Sequence, residues 1–369
     1  MPLPSALPCA KSRLIAVALA TLGFTALAQA QPVQVVTSFS ILADMARNVG
    51  GEHVEVTSLV GPDSDPHVYM PSPSDARALA EADLVVFNGL QFEGWMSRLL
   101  DSSGYQGKLV TASEGTRPLP YSGLSMEHAD DHADHADHAD HADHQEHEEH
   151  AGHDEEEHHS SHGEHAEEHA ESEAHADHEH GKFDPHAWLD LGAGAIYAAN
   201  IRDGLIAVDP EHEQDYRAQA DAYIKEIKAM DAHIHELLDA VPHDTYVIVD
   251  HAAFGHFQRA YGIGFLSPVG ISTDAEPSAA DLVKLIEIIK QRNIPALFQE
   301  NMVGPALMQQ LSEETGLPIA GTLYTGALSE SGPTSHYLGM MLHNAEVLHA
   351  GLADAQHQQE GHQEEHHEH

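Results

Sequence analysis

The sequence is short of thiols, of positive charge and of long apolar runs, and each shortage removes a class of function. Its 369 residues hold one cysteine, Cys9, which lies ahead of an apolar stretch near the start of the chain. Processing behind that stretch leaves a chain with no disulfide, no thiolate metal site and no cysteine for lipid attachment. Any metal it carries is then held by nitrogen and oxygen. Lys and Arg total 16 against 60 Asp plus Glu, a formal net charge of −44. Such a field repels nucleic acid and anionic lipid and favours cationic ligands. No apolar run after residue 30 approaches the roughly 20 residues of a membrane helix, so the chain is expected to insert in no membrane.

The leading stretch reads as a secretory signal. Lys11 and Arg13 precede an apolar segment from Leu14 to Leu27, and Ala28-Gln29-Ala30 supplies a small-residue cleavage site. Residues 1–30 are therefore expected to be removed, the mature chain to begin near Gln31, and the product to work as a monomer in the periplasm of a Gram-negative bacterium.

What the chain has in excess is histidine. Residues 126–182 carry 17 of its 34 histidines, and Lys and Arg are absent from Glu127 to Gly181. His132, His135, His138, His141, His144, His147, His150 and His153 recur every third residue among Asp, Glu and Ala. A merely solubilising segment has no reason to prefer imidazole, the commonest side-chain ligand for zinc and its neighbours. The composition predicts a disordered loop offering auxiliary, low-affinity metal sites. Successive members drift by about 60° around a helix, so no single face gathers them. A shorter tract, 354–369, closes the chain and reads as a disordered His-rich tail.

Elsewhere strand and helix patterns alternate. Strands are expected at Pro32–Phe39, Val54–Val60, Asp83–Asn88 and Lys108–Ala112, with helices at Ile41–Val49, from Ser72 to about Ala82, and around Trp95–Leu100. Ser72, Pro73 and Asp75 have the spacing of an N-cap, a first helical proline and a capping box. A helix is expected at Ile196–Val208. From Glu211 to Asp239 the pattern is helical without Gly or Pro, long enough at about 1.5 Å per residue to span on the order of 40 Å. A second set follows, with strands at Thr245–Val249, Ala296–Gln299 and Ile319–Tyr324. Its helices are expected at Phe254–Tyr261, Ser278–Asn293, Pro305–Thr315 and Ser335–Leu352. The fold class is α/β, two lobes each with a parallel sheet flanked by helices, joined by a long rigid linker helix. The expected boundaries are 31–208 for the N-terminal lobe, including the His-rich loop, 209–242 for the linker and 243–353 for the C-terminal lobe.

Three histidines outside the tracts stand apart by position. His67 lies in Asp65-Pro66-His67 after a strand, and His186 repeats that tripeptide as Asp184-Pro185-His186 where the His-rich loop rejoins the fold. His251 follows Asp250 at the carboxyl end of the strand TYVIV, the end at which open parallel sheets bind ligands. Proline fixes the direction of the next residue, and a preceding Asp can accept a hydrogen bond from an imidazole N–H and set its tautomer.

Taken in order, GPDSDPHVYMPSPSD, ADLVVFNGLQFEGW, FDPHAWLDL, VDHAAFGHFQRAYGI, LFQENM and SHYLGMMLHN resemble the metal-binding receptors of bacterial ABC importers. Within that cluster A-I group they resemble the zinc-specific ZnuA type. The resemblance covers essentially all of the mature chain except the His-rich tracts. It implies a receptor rather than an enzyme, with Zn(II) between the lobes on His67, His186 and His251 and an ABC membrane permease as partner. The family's manganese receptors carry a carboxylate at the third of these positions, so His251 favours zinc. Two familiar fourth ligands are missing. Gly326 stands where many relatives have Asp, and Pro66 where some zinc members have Glu. The fourth position is left to water or to a side chain from the His-rich loop. Asp65, Asp184 and Asp250 are candidate partners of the imidazoles, and Glu300 is a candidate acceptor behind the ligands or itself a ligand.

Three readings compete with a zinc receptor. A periplasmic zinc buffer or chaperone would make the His-rich loop the main business, and a receptor for manganese or another divalent metal would use the same lobes. A zinc enzyme would also use three His and an open position, but no H-E-x-x-H is present and the three residues come from separate loops, which suits a clamp.

Overall fold

The computed structural model describes residues 31–121, 182–242 and 245–365, with side chains as far as residue 353. The expected signal segment, His132 to His153 and the last four residues lie outside the described residues.

The N-terminal sheet contains β1 (Val33–Phe39), β2 (Val54–Val60), β3 (Leu84–Phe87) and β4 (Lys108–Thr111), all parallel in the order β2-β1-β3-β4. β1 is buried along nearly its whole length, as a strand covered on both faces must be. Helices α1 (Ser40–Gly50), α2 (Pro73–Glu81), α3 (Met96–Ser103) and α4 (Leu191–Val208) complete this half. At the start of α2 the Ser72 amide donates to Asp75 Oδ2 at 2.6 Å, closing the expected capping box.

A 3-10 turn at Pro210–His212 leads into α5 (Glu213–Leu238), 26 residues between the two sheets. The C-terminal sheet repeats the order of the first as β6-β5-β7-β8, all parallel. It is built from β5 (Tyr246–Ile248), β6 (Gly264–Leu266), β7 (Leu297–Glu300) and β8 (Ile319–Leu323). Its helices are α6 (Gly255–Tyr261), α7 (Ala279–Arg292), α8 (Ala306–Thr315) and α9 (Tyr337–Glu365). In each sheet the order reverses between the first and third strands in sequence, the switch point at whose carboxyl end ligands bind.

One apolar cluster runs through both halves, taking in Phe39, Leu84 and Trp188 with Val249, Phe298, Leu323 and Tyr337. A smaller one, around Ile248, Leu285, Leu297 and Leu311, lies beneath α7 and α8. Hydrogen bonds reinforce the shared core. Trp188 Nε1 donates to the Thr325 carbonyl at 2.7 Å, the Tyr337 amide to Asp44 Oδ2 at 2.9 Å, and the Leu328 amide to Ser40 Oγ at 3.0 Å. A large apolar boundary resists the relative motion that is the default between lobes.

Four expectations are corrected. α4 begins at Leu191 rather than Ile196, because Asp190 Oδ1 accepts the Gly192 and Ala193 amides at 2.8 and 3.4 Å and caps a turn that two glycines disguise. Gly194 has its own reason, since a Cβ there would collide with the Tyr337 hydroxyl. The sequence pattern does not reveal β6, only three residues long and beginning on a glycine. The last helix starts at Tyr337 after a 3-10 turn at Pro333–Ser335. It runs past Leu352 to Glu365 through a segment rich in Ala, Gln and Glu, residues of good helix propensity.

Candidate metal centre

Each of the three singled-out histidines is delivered by different chemistry. His251 comes three residues after β5, and Glu300 is the last residue of β7, the neighbouring strand. That adjacency lets Glu300 accept from the His251 amide and from its Nδ1, each at 2.9 Å to Oε1, while Thr325 Oγ1 donates to Oε2 at 2.7 Å. Glu300 is fully buried, and both its oxygens are engaged. Its place is behind the ring of His251.

His186 follows Asp184, whose Oδ1 accepts from the His186 amide at 2.9 Å and from its Nδ1 at 2.8 Å. The segment is gripped from β3, since Asn88 Nδ2 donates to the Pro185 carbonyl at 2.9 Å. Glu93 holds Asn88 in turn, accepting its amide at 2.7 Å and the Ser38 hydroxyl at 2.6 Å. The ends of the His-rich insertion meet beside this segment. Pro120 and Phe183 form an antiparallel bridge, and the Asp184 amide donates to the Leu119 carbonyl at 2.8 Å.

His67 sits on the loop between β2 and α2. Asp65 Oδ1 accepts the His67 amide at 2.9 Å, and Trp95 Nε1 holds the Pro66 carbonyl at 2.9 Å. Asp65 therefore bonds the backbone of its histidine and not the ring, unlike Asp184 in the same tripeptide. Asp250 also misses the ring, its Oδ2 accepting the Glu300 amide at 2.7 Å. Sequence adjacency placed both near a histidine but could not say which donor each would meet.

The rings converge. His67 Nε2 lies 3.2 Å from His186 Nε2, which lies 3.4 Å from His251 Nε2. These three form the one group of His, Cys, Asp or Glu, among the described residues, whose ligand atoms all fall within 4.8 Å of one another. Nitrogens about 2.05 Å from a tetrahedral ion stand roughly 3.3 Å apart, close to the two distances from His186 Nε2. With both rings neutral and Nδ1 of His186 and His251 donating to carboxylates, both Nε2 atoms present lone pairs toward each other. A shared cation would relieve that repulsion. Phe92 packs edge-on against His67 and His186, with ring centroids 4.7 and 5.6 Å away, and Trp188 lies 5.3 Å from His186.

Burial presses the pKa of His67 and His186 well below the ordinary imidazole value, helped by the neighbouring imidazoles. His251 is buried too, but the charge and hydrogen bond of Glu300 outweigh burial and leave its pKa raised. Burial also lifts Asp184 to about 6 and, with repulsion from Glu300, Asp250 to about 7.

The two missing fourth ligands are neighbours in space. A Cβ built on Gly326 would lie 3.0 Å from Met302 Sδ and 3.3 Å from Pro66 Cδ. A side chain at 326 would have to displace the flexible end of Met302. Asn88, Glu93, Trp188 and Thr325 were not singled out as functional. The first three lie within motifs that carry the resemblance, but only the fold reveals what they touch.

A profile of the zinc-uptake complex component A family, ZnuA, described as periplasmic, matches residues 35–351. The chain belongs to the ZnuA family. This ZnuA-family chain is 28% identical over 323 residues to the manganese-binding lipoprotein MntA of Halalkalibacterium halodurans, covering 87% of this chain and 89% of that one. It is 27% identical over 331 residues to the iron-binding protein YfeA of Yersinia pestis, covering 88% and 87%. The periplasmic zinc-binding protein TroA from Treponema pallidum superposes with a TM-score of 0.67 at 25% identity, over 87% of this chain and 99% of that one. ZnuA-family chains are metal-binding receptors of ABC transporters, working with a membrane permease and its ATPase. The chain is such a receptor and not an enzyme. Among the described residues no helix is long and apolar enough to cross a membrane.

Proposed function

We propose that the cargo is Zn(II), held by His67, His186 and His251 and delivered in the periplasm to an ABC-type import permease. The observation that carries this reading is the donor set: three converging imidazole nitrogens, two of their separations close to tetrahedral spacing, with no carboxylate among the converging atoms. Imidazole suits zinc, and manganese prefers oxygen. Glu300, the carboxylate behind His251, already accepts from His251 and Thr325.

Relatives named for manganese and iron supply the second reading, a receptor for another divalent metal. Competition titrations of the purified mature protein separate the two. Zinc should bind at least about a hundredfold more tightly than manganese, as three imidazole donors favour. Equal affinities would favour the second reading.

Residues 1–30 act in this proposal as the export signal. The histidines from His132 to His153 serve as exchangeable auxiliary sites drawing zinc toward the cleft. Water, or a side chain from the His-rich insertion, completes the tetrahedron.

A further inference from the structure

The three histidines differ in what holds their rings. His186 Nδ1 is fixed by Asp184 and His251 Nδ1 by Glu300, whereas no hydrogen bond fixes His67 Nδ1 among the described residues. His67 is also the only one of the three that is not fully buried. Its position depends on Asp65, and Asp65 faces two ways. Oδ1 accepts the His67 amide at 2.9 Å, and Oδ2 accepts the hydroxyl of Thr273 at 2.5 Å. Thr273 belongs to the segment between β6 and α7, on the C-terminal sheet's side of the molecule, 208 residues from Asp65.

Resting on the reading of the three histidines as the metal site, we infer that the Thr273–Asp65 hydrogen bond is a latch. It couples the C-terminal lobe to His67 and makes His67 the ligand through which metal is released. Moving Thr273 away frees Asp65, and the backbone of His67 is left with only the Trp95 bond to the preceding Pro66 carbonyl. His186 and His251 keep their carboxylates, because those bonds do not pass through Thr273. Elsewhere on the same loop, the Asp63 amide donates to the Leu328 carbonyl at 2.8 Å and Asn301 Nδ2 to Asp63 Oδ1 at 3.2 Å. These tethers hold the loop to the other lobe but touch neither Asp65 nor His67. Thr273 is thus a positioning residue, acting on the metal only through Asp65 and His67.

The test is the rate at which zinc leaves the full-length mature protein. Loaded with less than one equivalent of zinc and mixed rapidly with a chromophoric chelator, the protein should give a slowest phase that reports the tight site. Thr273→Val keeps the shape and removes the donor, and a hydrogen bond to a carboxylate is worth enough to speed that phase by about tenfold. Thr273→Ser should restore the original rate. A double-mutant cycle isolates the route. In a His67→Ala background, Thr273→Val should change the rate less than about twofold, because the ligand through which it acts is gone. An unchanged rate in Thr273→Val would overturn the latch, as would an equal acceleration with and without His67. A His67→Ala protein that binds and releases zinc like the original would instead show that the metal-site reading is wrong.

Discussion

Both lobes carry the same four-strand order, yet they deliver their imidazoles differently. In the C-terminal lobe, imidazole and carboxylate come from the ends of the adjacent strands β5 and β7, so His251 and Glu300 meet directly. In the N-terminal lobe the corresponding ends of β1 and β3 carry Ser38 and Asn88, neither of them one of the converging residues. They act at a remove, through Glu93 and the Pro185 carbonyl, to seat His186. His67 hangs further out, on a loop fixed through its backbone. One sheet plan can thus hold an imidazole by its ring or only by its backbone, depending on whether the carboxylate reaches the ring.

The largest effect expected from that contrast is on affinity. Replacing His186 or His251 by Ala should weaken zinc on the order of a thousandfold, since a preorganised nitrogen is lost and its carboxylate is stranded. His67→Ala should cost about tenfold less than either, because its ring lacks such support. Competition titrations check this, and equal losses at all three positions would break the comparison.

Next come the carboxylates themselves. Glu300→Gln and Asp184→Asn should each weaken zinc by about 10–100-fold, the usual cost of losing a partner behind a metal-bound imidazole. Asp250→Asn should have a smaller effect, because Asp250 reaches a backbone amide and no ring.

A still smaller, graded effect is expected from pH. His67 and His186 have lowered pKa values and are neutral before metal arrives, so protons do not compete there near neutrality. His251 is raised, so below its pKa, which lies above 6.5, one proton must leave for each zinc bound. Affinity should fall about tenfold per pH unit from there downward, and more steeply below about 6, where Asp184 takes up its own proton. Calorimetry in buffers of different ionisation enthalpy measures the protons released. Two or more at pH 7 would contradict the assignment to His251.

The smallest effect on tight binding is expected from removing residues 127–181. One tight zinc per chain should remain while weaker, exchangeable ones are lost, as native mass spectrometry would count.

Much of this was legible before any coordinates. The repeated Asp-Pro-His and the strand TYVIV ending in Asp250-His251 carry local signals, and the capping box of Ser72 and Asp75 is complete within four residues. What could not be read depends on residues far apart in the chain. Nothing local distinguishes Asp65, which bonds a backbone amide and a threonine 208 residues away, from Asp184, which bonds a ring. Glu300 could be suspected, but its place behind His251 follows from β5 and β7 being neighbours. Gly194 reads as a helix breaker until Tyr337 is seen against it.

X-ray absorption at the zinc K-edge tests the central claim most directly. A variant lacking residues 127–181 and 354–369, loaded with one equivalent of zinc, removes the histidines that would confuse the signal. Three imidazole nitrogens at about 2.0 Å with at most one further light ligand is the result expected of a tetrahedral site. Two or fewer imidazoles, or a six-coordinate shell dominated by oxygen, would contradict it.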